Sequence, residues 1–311
     1  MSAQMEAVQV SPRPGAPRHW WLAGILSLLL PGLGQLYAGH WRRAVGFFIV
    51  NALIDFPFLL GLWSYAALLD RPGGFWLAAT VGIGVVLFRI VAIVDAAFVA
   101  SHTPRGLLAP YQRWYLYVAI LFAWNAPGLA GMSYPDSGTE SYSIPGGSMI
   151  PTLQIGDYVI GIQLSGTNDL PKRGAIVTHI DAASGDTYIR RLIGLPGDTV
   201  EMRDGRLILN GMPVAAEPVG TFRGAGGSGP MLQETLPQGT RYNVLDVQNG
   251  SALDTVPAAT VPPGYVFLLG DNRDNSRDSR VNGPVPIESL EAIILYVYWS
   301  SDLGRIGLRL D

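Results

Sequence analysis

One serine, Ser148, lies in a short sequence that is typical of an exposed turn. Residues 144–157 read IPGGSMIPTLQIGD, so that two glycines precede the serine and Pro151 follows it. Glycine lets another backbone approach closely and proline stops a helix, so this spacing predicts a turn that presents the Ser148 hydroxyl. A hydroxyl becomes an effective nucleophile only beside a group that takes its proton. A catalytic role for Ser148 therefore requires a base from elsewhere in the chain.

Two later clusters could complete a site around Ser148. The first, TYIRRLIGLPGD, begins at residue 187, and the second, LLGDNRDNSRDSRVNGPVP, spans residues 268–286. Taken alone, each has an ordinary interpretation: a strand that ends in a type I or II turn at residues 196–198, and a polar surface loop. The order of the three clusters, rather than any one of them, indicates a function.

The composition indicates a membrane part and a soluble part. Of the 311 residues, 49% are hydrophobic and 14% are charged, which is too apolar for a soluble enzyme. Apolar stretches lie between Trp20 and Met132, whereas β-like runs alternate with Gly and Pro turns from Ser133 onward. The absence of cysteine excludes disulfides, and a net charge of −3 without a basic cluster gives no reason to expect nucleic acid as a partner.

Residues 20–132 are predicted to form three or four transmembrane helices. Three stretches are long enough to cross roughly 30 Å of hydrocarbon at about 1.5 Å per residue. They are residues 44–69, 75–100 and 114–132. The earlier stretch, 20–39, contains Pro31 and Gln35, so that it could span the bilayer, re-enter it or lie along its surface.

Arginines between the apolar stretches predict the orientation of the chain. Arg42 and Arg43 precede the second stretch, and Arg105 and Arg113 separate the last two. By the positive-inside rule these arginines face the cytoplasm, so that the last helix leads outward. We therefore expect a multi-pass protein of the cytoplasmic (inner) membrane whose C-terminal domain is extracytoplasmic.

Two charged residues lie near the middle of adjacent predicted spans. A lone charge at that depth costs at least about 2.5 kcal/mol, so Asp55 and Arg89 are expected to pair. The pair could serve an ion or proton path, although a structural lock between helices is the more ordinary interpretation. Asp95 lies nearer the cytoplasmic end and is expected to reach water.

From Ser141 onward the sequence predicts a mostly antiparallel β domain. The runs that predict strands are DYVIGIQL, GAIVTHI, DTYIRRLIG, RLILNG, GYVFLLGD and a closing LEAIILYVYW. Residues 212–260 are richer in Gly, Ala and Pro and are expected to form a loop-rich insertion. The expected organisation is a tail at residues 1–19, a transmembrane region at 20–132 and this β-rich domain at 133–311.

Together, the three clusters resemble those of bacterial signal peptidase I, also called leader peptidase. The resemblance covers roughly residues 141–302 and not the N-terminal hundred, where this chain has more apolar stretches than the simplest family members. It implies a membrane-anchored serine endopeptidase whose β catalytic domain cuts signal peptides of exported preproteins after small residues. Neither a metal nor an organic cofactor is implied.

The resemblance also implies roles for individual residues. Ser148 corresponds to the nucleophile, and the peptide is expected to bind as an extended strand beside residues 142–146 and 186–190. The positions implied for the oxyanion and the substrate are Pro145, Gly146, Gly147, Met149 and Tyr188, and those implied for support are Asp271, Ser276, Asp278 and Arg280. Gly146 replaces a serine that helps to hold the oxyanion in many members, a loss of around 3 kcal/mol unless another donor substitutes.

The main departure from the family pattern is Arg190, which stands where the resemblance implies a lysine as general base. Burial can lower the pKa of a lysine towards neutrality, so that its amine accepts the serine proton. An arginine pKa starts above about 12, so that deprotonating it near pH 7 costs roughly 7 kcal/mol, or about five powers of ten in rate. Arg190 is thus a poor base, although it could orient the substrate or stabilise negative charge.

Of two other residues that could act as the base, Lys172 is a poor candidate and His179 is the better one. If the runs GAIVTHI and DTYIRRLIG pair as a hairpin, Lys172, the only lysine, lies over about 15 Å along the strand from Arg190. The same hairpin pairs His179 with Tyr188, so that His179 shares a face with Arg190 at about 7–8 Å. A histidine pKa near 6.5 suits a Ser148–His179 dyad, whereas a surface or packing histidine is the ordinary alternative.

Two functions are compatible with this sequence. The leading hypothesis is a serine endopeptidase that removes signal peptides, with Ser148 as nucleophile and a non-standard base. The alternative is a catalytically inactive homologue that binds signal peptides or an exported partner without cleavage, which Arg190 and Gly146 favour. The lipid bilayer is an expected partner under both hypotheses.

Overall fold

A computed structural model of the chain contains two compact units. The first comprises Met1–Ser64 and Leu77–Asp136, and the second comprises Tyr65–Trp76 and Ser137–Asp311. The residues that the structure describes are 18–59, 68–104, 109–129, 138–164, 170–182, 184–246 and 250–310, with the backbone alone for 56–59 and 127–129.

Residues 18–129 are mainly helical where they are described. The helices are α1 (Trp20–Leu29), α2 (Leu33–Tyr37), α3 (Trp41–Leu59), α4 (Gly74–His102) and α5 (Trp114–Leu129), with a 3₁₀ turn at Pro110–Gln112. The apolar stretch around Pro31 is broken between α1 and α2, because proline lacks the N–H that continues a helix and Gly32 has a φ of 110°. The ten residues of α1 extend about 15 Å, too short to cross hydrocarbon.

One described helix, α4, is long and apolar enough to cross a membrane, by length and composition. It has 29 residues, and only 11% of its most apolar window is buried inside the protein. The apolar helices α1 and α5 are shorter, and part of the predicted span 44–69 lies outside the described residues. The structure therefore supports one candidate span, and the three or four spans of the sequence analysis stay a prediction.

The predicted pairing of Asp55 with Arg89 is wrong, since no ion pair joins them in the described helices. The Asp55 carboxylate instead accepts a hydrogen bond of 2.6 Å from Asn51 Nδ2. Asn51 lies one turn earlier on the same face of α3, so this partner is available without bringing two helices together. Asp95, which we expect to reach water, is 24% exposed but also forms an ion pair with Arg43 at 2.8 Å.

Residues 138–310 form a β domain in which the named strands pair antiparallel throughout, as predicted. The strands are β1 (Thr139–Ser143), β2 (Tyr158–Gln163), β3 (Ile176–Ile180), β4 (Thr187–Gly194), β5 (Thr199–Arg203), β6 (Arg206–Leu209), β7 (Met212–Pro213), β8 (Ala215–Gly224), β9 (Gly227–Thr235), β10 (Arg241–Leu245), β11 (Val256–Thr260), β12 (Tyr265–Leu269), β13 (Val285–Pro286) and β14 (Leu290–Trp299). A short helix, α6 (Ser279–Asn282), and 3₁₀ turns at Ile287–Ser289 and Leu303–Arg305 complete it.

The largest sheet carries the strands that position the candidate site. Its order is β1-β2-β14-β3-β4-β12-β13, and the smaller sheets are β10-β9-β8 and β11-β5-β6-β7. The predicted closing strand is β14, and it lies inside the large sheet between β2 and β3. Ile176 and Val177, adjacent on β3, belong to different apolar cores, so the sheet is covered on both faces.

Residues 212–260 contain strands rather than the loop-rich insertion that their composition predicts. β8 and β9 pair as a long antiparallel hairpin, and β10 adds a third strand. Tyr242, Val244 and Leu245 on β10 are buried. Gly, Ala and Pro lower the local strand preference, but burial and cross-strand pairing outweigh it, because β-propensity depends strongly on context.

Candidate active site

Ser148 lies in a turn that two hydrogen bonds from Asn272 hold in place. The Asn272 side-chain Nδ2 donates to the Gly147 carbonyl at 2.9 Å, and the Asn272 backbone N–H donates to the Ser148 carbonyl at 3.0 Å. The side chains of Met149 and Ile150 are buried in the cores on either side. These anchors determine where the Ser148 hydroxyl lies.

The backbone around Ser148 has a donor and space for an oxyanion. In the described chain, no hydrogen bond is donated by the Ser148 amide. At Gly146 a side chain would meet open space, because nothing lies within 4 Å of an added Cβ. At Gly147, by contrast, an added Cβ would lie 2.9 Å from Ile150 Cδ1. Steric crowding therefore does not explain why residue 146 is a glycine and not the serine that the resemblance implies.

Ser148 lines a cavity of about 360 Å³, which we name the groove, between β1 and β4. β1 pairs with β2 along one edge, and its other edge has no strand beside it in the described sheet. Such an edge can accept an extended chain. The groove residues expected from the sequence all line it: Pro145, Gly146, Gly147, Met149 and Tyr188.

The side chain of Arg190 reaches Ser148 from β4. Its Nη1 donates to Ser148 Oγ at 2.9 Å and to the Ile189 carbonyl at 2.7 Å, and its Nη2 donates to the Arg277 carbonyl at 3.0 Å. Arg190 is 5% exposed, and this burial lowers the pKa of its guanidinium. Even so, a guanidinium keeps its charge at neutral pH and has no acceptor atom. Arg190 can stabilise negative charge on Ser148 Oγ but cannot take its proton.

His179 lies on β3 in the predicted register but does not contact Ser148. It pairs with Tyr188, and Val177 pairs with Arg190, as the hairpin prediction requires. In the described chain no hydrogen bond joins His179 to Ser148, and His179 lines a separate cavity of about 540 Å³. Arg190 and Tyr188 line both cavities. A direct Ser148–His179 dyad is therefore not formed. The longer side chain of Arg190, on the same face of the hairpin, donates a hydrogen bond to the Ser148 hydroxyl instead.

His179 is buried and neutral at pH 7. It is 9% exposed, its ring stacks on Tyr188 with centroids 5.9 Å apart, and its Nδ1 has no hydrogen-bond partner in the described structure. Burial and then the nearby charge of Arg190 lower the pKa of His179 from its ordinary value. A neutral imidazole can accept a proton, so His179 can act as a base, although it does not contact Ser148 directly.

Replacing His179 with glutamine is expected to make the free energy of unfolding less dependent on pH in the acid range. The unfolded wild type, with a histidine pKa near 6.5, binds a proton that the folded protein binds only at lower pH. The contribution of neutral His179 is therefore complete above about pH 6.5 and is lost as the pH falls through the lower folded pKa. Urea titrations of both proteins across this range measure the difference, and parallel pH profiles would contradict it.

The loop after β12 carries the predicted supporting residues. Asp278 accepts hydrogen bonds from the Gly270 amide at 2.9 Å and from Arg280 Nη2 at 2.8 Å. Burial raises the pKa of Asp278, but the hydrogen bonds and charge of Arg280 outweigh it and hold that pKa below its usual value. Ser276 is buried, and its Oγ has no hydrogen-bond partner in this part of the described chain. Ser276 therefore does not bind Arg190 as it would bind the implied lysine.

The sequence that forms this site matches a known protein family. Residues 127–299 match the family model described as signal peptidase, peptidase S26, which is more than half of the 311 residues. The chain belongs to the signal peptidase S26 family. The matched residues include the Ser148 turn, Arg190 and the loop after β12.

Named signal peptidases are similar to part of this chain. Signal peptidase I of Pseudomonas aeruginosa is 37% identical over 155 residues, 45% of this chain and 54% of that protein. Signal peptidase I of Rickettsia prowazekii is 32% identical over 207 residues, 55% of this chain and 78% of that protein. A solved signal peptidase I of Enterococcus faecalis is 30% identical and covers 41% of this chain and 98% of that chain, at a TM-score of 0.27. The match thus spans about half the length of the Pseudomonas relative.

Two features of this signal peptidase family member escape sequence reasoning. The first is the role of Asn272, whose motif is visible in the sequence but whose contact with the Ser148 turn is not. The second is a buried ion pair in which Arg191 Nε and Nη2 donate to the Asp271 carboxylate at 2.8 and 2.6 Å, with Thr152 Oγ1 donating to the same carboxylate. The signal in the sequence was the pair of adjacent arginines on β4, Arg190 and Arg191. Successive strand residues lie on opposite faces of the sheet, so one of these two arginines requires a buried acid as its partner.

Proposed function

We propose that this chain is a membrane-bound serine endopeptidase that removes signal peptides from exported proteins after small residues, with Ser148 as the nucleophile. The observation that carries the proposal is the position of the Ser148 hydroxyl in the groove between β1 and β4. Membership of the signal peptidase S26 family supports the substrate class.

In this proposal, an extended peptide pairs with the free edge of β1 and passes Ser148. Main-chain hydrogen bonds to a strand edge supply affinity for many sequences, and pockets beside alternate residues supply specificity. Ile144 and Met149 are buried apolar residues that line the groove next to Ser148. An apolar wall so close to the hydroxyl favours a small side chain over a long or charged one at the cleaved bond.

In the proposed reaction, Ser148 Oγ attacks the peptide carbonyl, and the Ser148 amide donates to the oxyanion that forms. Arg190 Nη1, 2.9 Å from Oγ, stabilises the developing negative charge on the hydroxyl oxygen. We assign the serine proton to neutral His179 through water, because its cavity adjoins the groove at Arg190 and Tyr188. Such a relay is slower than direct contact with a base, since geometry governs proton transfer.

A second candidate function is the binding of signal peptides without cleavage. One contact favours it: the Ser148 hydroxyl accepts its hydrogen bond from a guanidinium that cannot act as a base. Under this alternative the groove and the free edge of β1 keep their role, and only the acyl-transfer step is lost.

The proposed location is the cytoplasmic membrane. Residues 1–19 form a tail, residues 20–132 form a multi-pass anchor and residues 133–311 lie on the extracytoplasmic side. Helix α4 supports the anchor by its length and composition, and the arginines between the apolar stretches support the orientation. Protease added to intact spheroplasts should therefore digest the β domain, and full protection of that domain would reverse the orientation.

The test of the function is cleavage of a preprotein by the full-length protein in detergent. We expect cleavage at the signal-peptide boundary by the wild type, none by Ser148→Ala, and a loss of about a hundredfold or more with His179→Ala. Ser301→Ala is the matched control, because Ser301 is exposed and does not line the groove.

Binding of the same preprotein separates the two candidates. The Ser148→Ala variant is expected to bind it as tightly as the wild type, since the groove is unchanged. Binding by a wild type that does not cleave would select the second candidate. If the wild type neither binds nor cleaves the preprotein, both candidate functions are excluded.

A further inference from the structure

The peptide unit between Gly147 and Ser148 carries the N–H that we assign to the oxyanion. Its carbonyl accepts from Asn272 Nδ2 at 2.9 Å, whereas its N–H donates no hydrogen bond within the described chain. This peptide is trans, so its C=O and N–H point in opposite directions. Gly147 and Ser148 line the groove and Asn272 does not. The carbonyl is therefore directed away from the groove, and the N–H is directed towards it.

The turn does not fix this orientation by itself. Gly147 has no Cβ, so rotation of the peptide between residues 147 and 148 meets little steric resistance from the turn. A reversed peptide would present its carbonyl oxygen to the groove and would withdraw the N–H from the oxyanion. Contacts from other parts of the chain must therefore hold the peptide in the orientation that the reaction needs.

The tip of the β8–β9 hairpin, residues 224–227, lies directly against the turn that contains the serine. A Cβ added at Gly147 would lie 3.3 Å from the Gly226 carbonyl oxygen. A Cβ added at Gly226, whose φ is 88°, would lie 3.6 Å from the Gly147 Cα and 2.8 Å from Cδ1 of both Ile150 and Ile155. The two backbones approach each other so closely that neither glycine has room for a side chain.

The sheet β10-β9-β8 holds the tip and the turn together. Phe222 of β8 and Leu245 of β10 form one buried apolar cluster with Ile150, and Met231 of β9 packs against this cluster. Ile150 is 0% exposed and lies two residues after Ser148. The sheet thus supports the turn through its strands as well as through the hairpin tip.

We propose that Asn272 and the tip of the β8–β9 hairpin are positioning elements of the oxyanion site, which together hold the Gly147–Ser148 peptide with its N–H towards the groove. Asn272 is 2% exposed, so a reversed peptide would leave its buried Nδ2 without an acceptor. Gly226 restricts the space in which Gly147 can rotate. The inference rests on the proposed peptidase function, because an oxyanion forms only where the serine reacts.

The experiment compares kcat and KM for a preprotein between the full-length wild type, Gly226→Ala and Asn272→Leu in the same detergent. We expect kcat to fall at least about tenfold in each variant, since complete loss of an oxyanion donor costs about a hundredfold or more. KM should not change, because neither residue lines the groove. Gly239→Ala is the matched control: Gly239 has a φ of 93° and nothing within 4 Å of an added Cβ, so its variant carries similar backbone strain and should keep the wild-type kcat.

A second arm separates positioning of the N–H from a change in the shape of the groove. In a Ser148→Ala background, adding Gly226→Ala or Asn272→Leu should leave binding of the preprotein unchanged. A tripeptide boronic acid, whose boron bonds to Ser148 Oγ and becomes a tetrahedral anion, mimics the oxyanion. It should inhibit the wild type at least about tenfold more strongly than either variant, because a transition-state mimic depends on contacts that the bound substrate does not use.

The possible failures differ from one another. If the wild type cleaves and both variants keep its kcat, this inference is overturned and the peptidase function stands. Weaker binding of the preprotein in the Ser148→Ala background would also overturn it, because groove shape would then explain the loss of rate. A wild type that neither cleaves nor responds to the boronic acid would exclude the peptidase function and this inference with it. If Asn272→Leu unfolds at a lower temperature than the wild type, Gly226→Ala with its matched control decides the result.

Discussion

Replacing Arg190 with lysine is expected to raise the rate of signal-peptide cleavage by about a thousandfold or more. In the wild type, Arg190 lies 2.9 Å from Ser148 Oγ but cannot act as the base, because deprotonating a guanidinium near pH 7 costs roughly 7 kcal/mol. The serine proton must therefore reach His179 by the slower route through water. A lysine buried to the same degree has its pKa lowered towards neutrality, so that a fraction of the protein holds a free amine beside the hydroxyl.

The surroundings of Arg190 are suited to that amine. Ser276 Oγ is buried without a hydrogen-bond partner in the described structure, and it could accept from a lysine Nζ. The Arg277 carbonyl, which Arg190 now uses, becomes available as a second acceptor. The charge of Asp278 favours a charged side chain at residue 190, whereas burial and the charge of Arg280, which pairs with Asp278 at 2.8 Å, favour a neutral one.

The measurement is kcat/KM for a preprotein, with the full-length proteins compared in the same detergent. Arg206→Lys, at an exposed residue of β6, is the control for the substitution itself and should leave kcat/KM unchanged. Adding Ser148→Ala to Arg190→Lys should abolish the gain. A folded Arg190→Lys protein that cleaves no faster than the wild type would show that residue 190 does not occupy the position of the base.

Replacing Asp271 with asparagine is expected to lower the free energy of unfolding by about 3–5 kcal/mol. Asp271 and Arg191 are 1% and 2% exposed, and two hydrogen bonds of 2.6 and 2.8 Å join them. Asparagine has nearly the same shape but no charge, so the Arg191 guanidinium is left buried without its counter-ion. Thr152, which also donates to Asp271, loses a charged acceptor at the same time.

A surface ion pair of the same domain is the matched control for Asp271→Asn. Glu201 and Arg203 lie on β5 at 2.7 Å, and the Arg203 side chain is 62% exposed. Glu201→Gln is expected to cost less than about 1 kcal/mol, since water and ions screen such pairs. Urea unfolding followed by circular dichroism measures both variants. Similar losses in the two would indicate that the Arg191–Asp271 pair is not the buried support that its geometry indicates.

Much of the β domain follows from local sequence patterns. Short runs rich in β-branched and aromatic residues predicted β2, β3, β4, β6, β12 and β14, and the hairpin turn predicted the pairing of His179 with Tyr188. Local patterns failed for residues 212–260, where β8 to β10 gain stability from strands that lie beside them and not from their own composition. They failed also for Asp55, because a hydrogen-bond partner one turn away competes with a charge on another helix.

The candidate site was only partly predictable. The motifs indicated that Ser148, Arg190 and the loop after β12 belong together, and the groove brings the first two into contact. They did not indicate which of Arg190 and His179 meets the hydroxyl, since both share a face of the same hairpin. That choice depends on side-chain length and on the Arg277 carbonyl, which holds the guanidinium in place from a distant part of the chain.

The sequence by itself determined the chemistry that is available: a serine in a presented turn, an arginine that cannot act as a base, and a family whose members are named signal peptidases. The tertiary structure decided how these groups meet. It directed Arg190 towards Ser148 and left His179 in a neighbouring cavity. The reason is that residue type fixes pKa and hydrogen-bonding capacity, whereas distances and burial arise from packing between segments that are far apart in sequence.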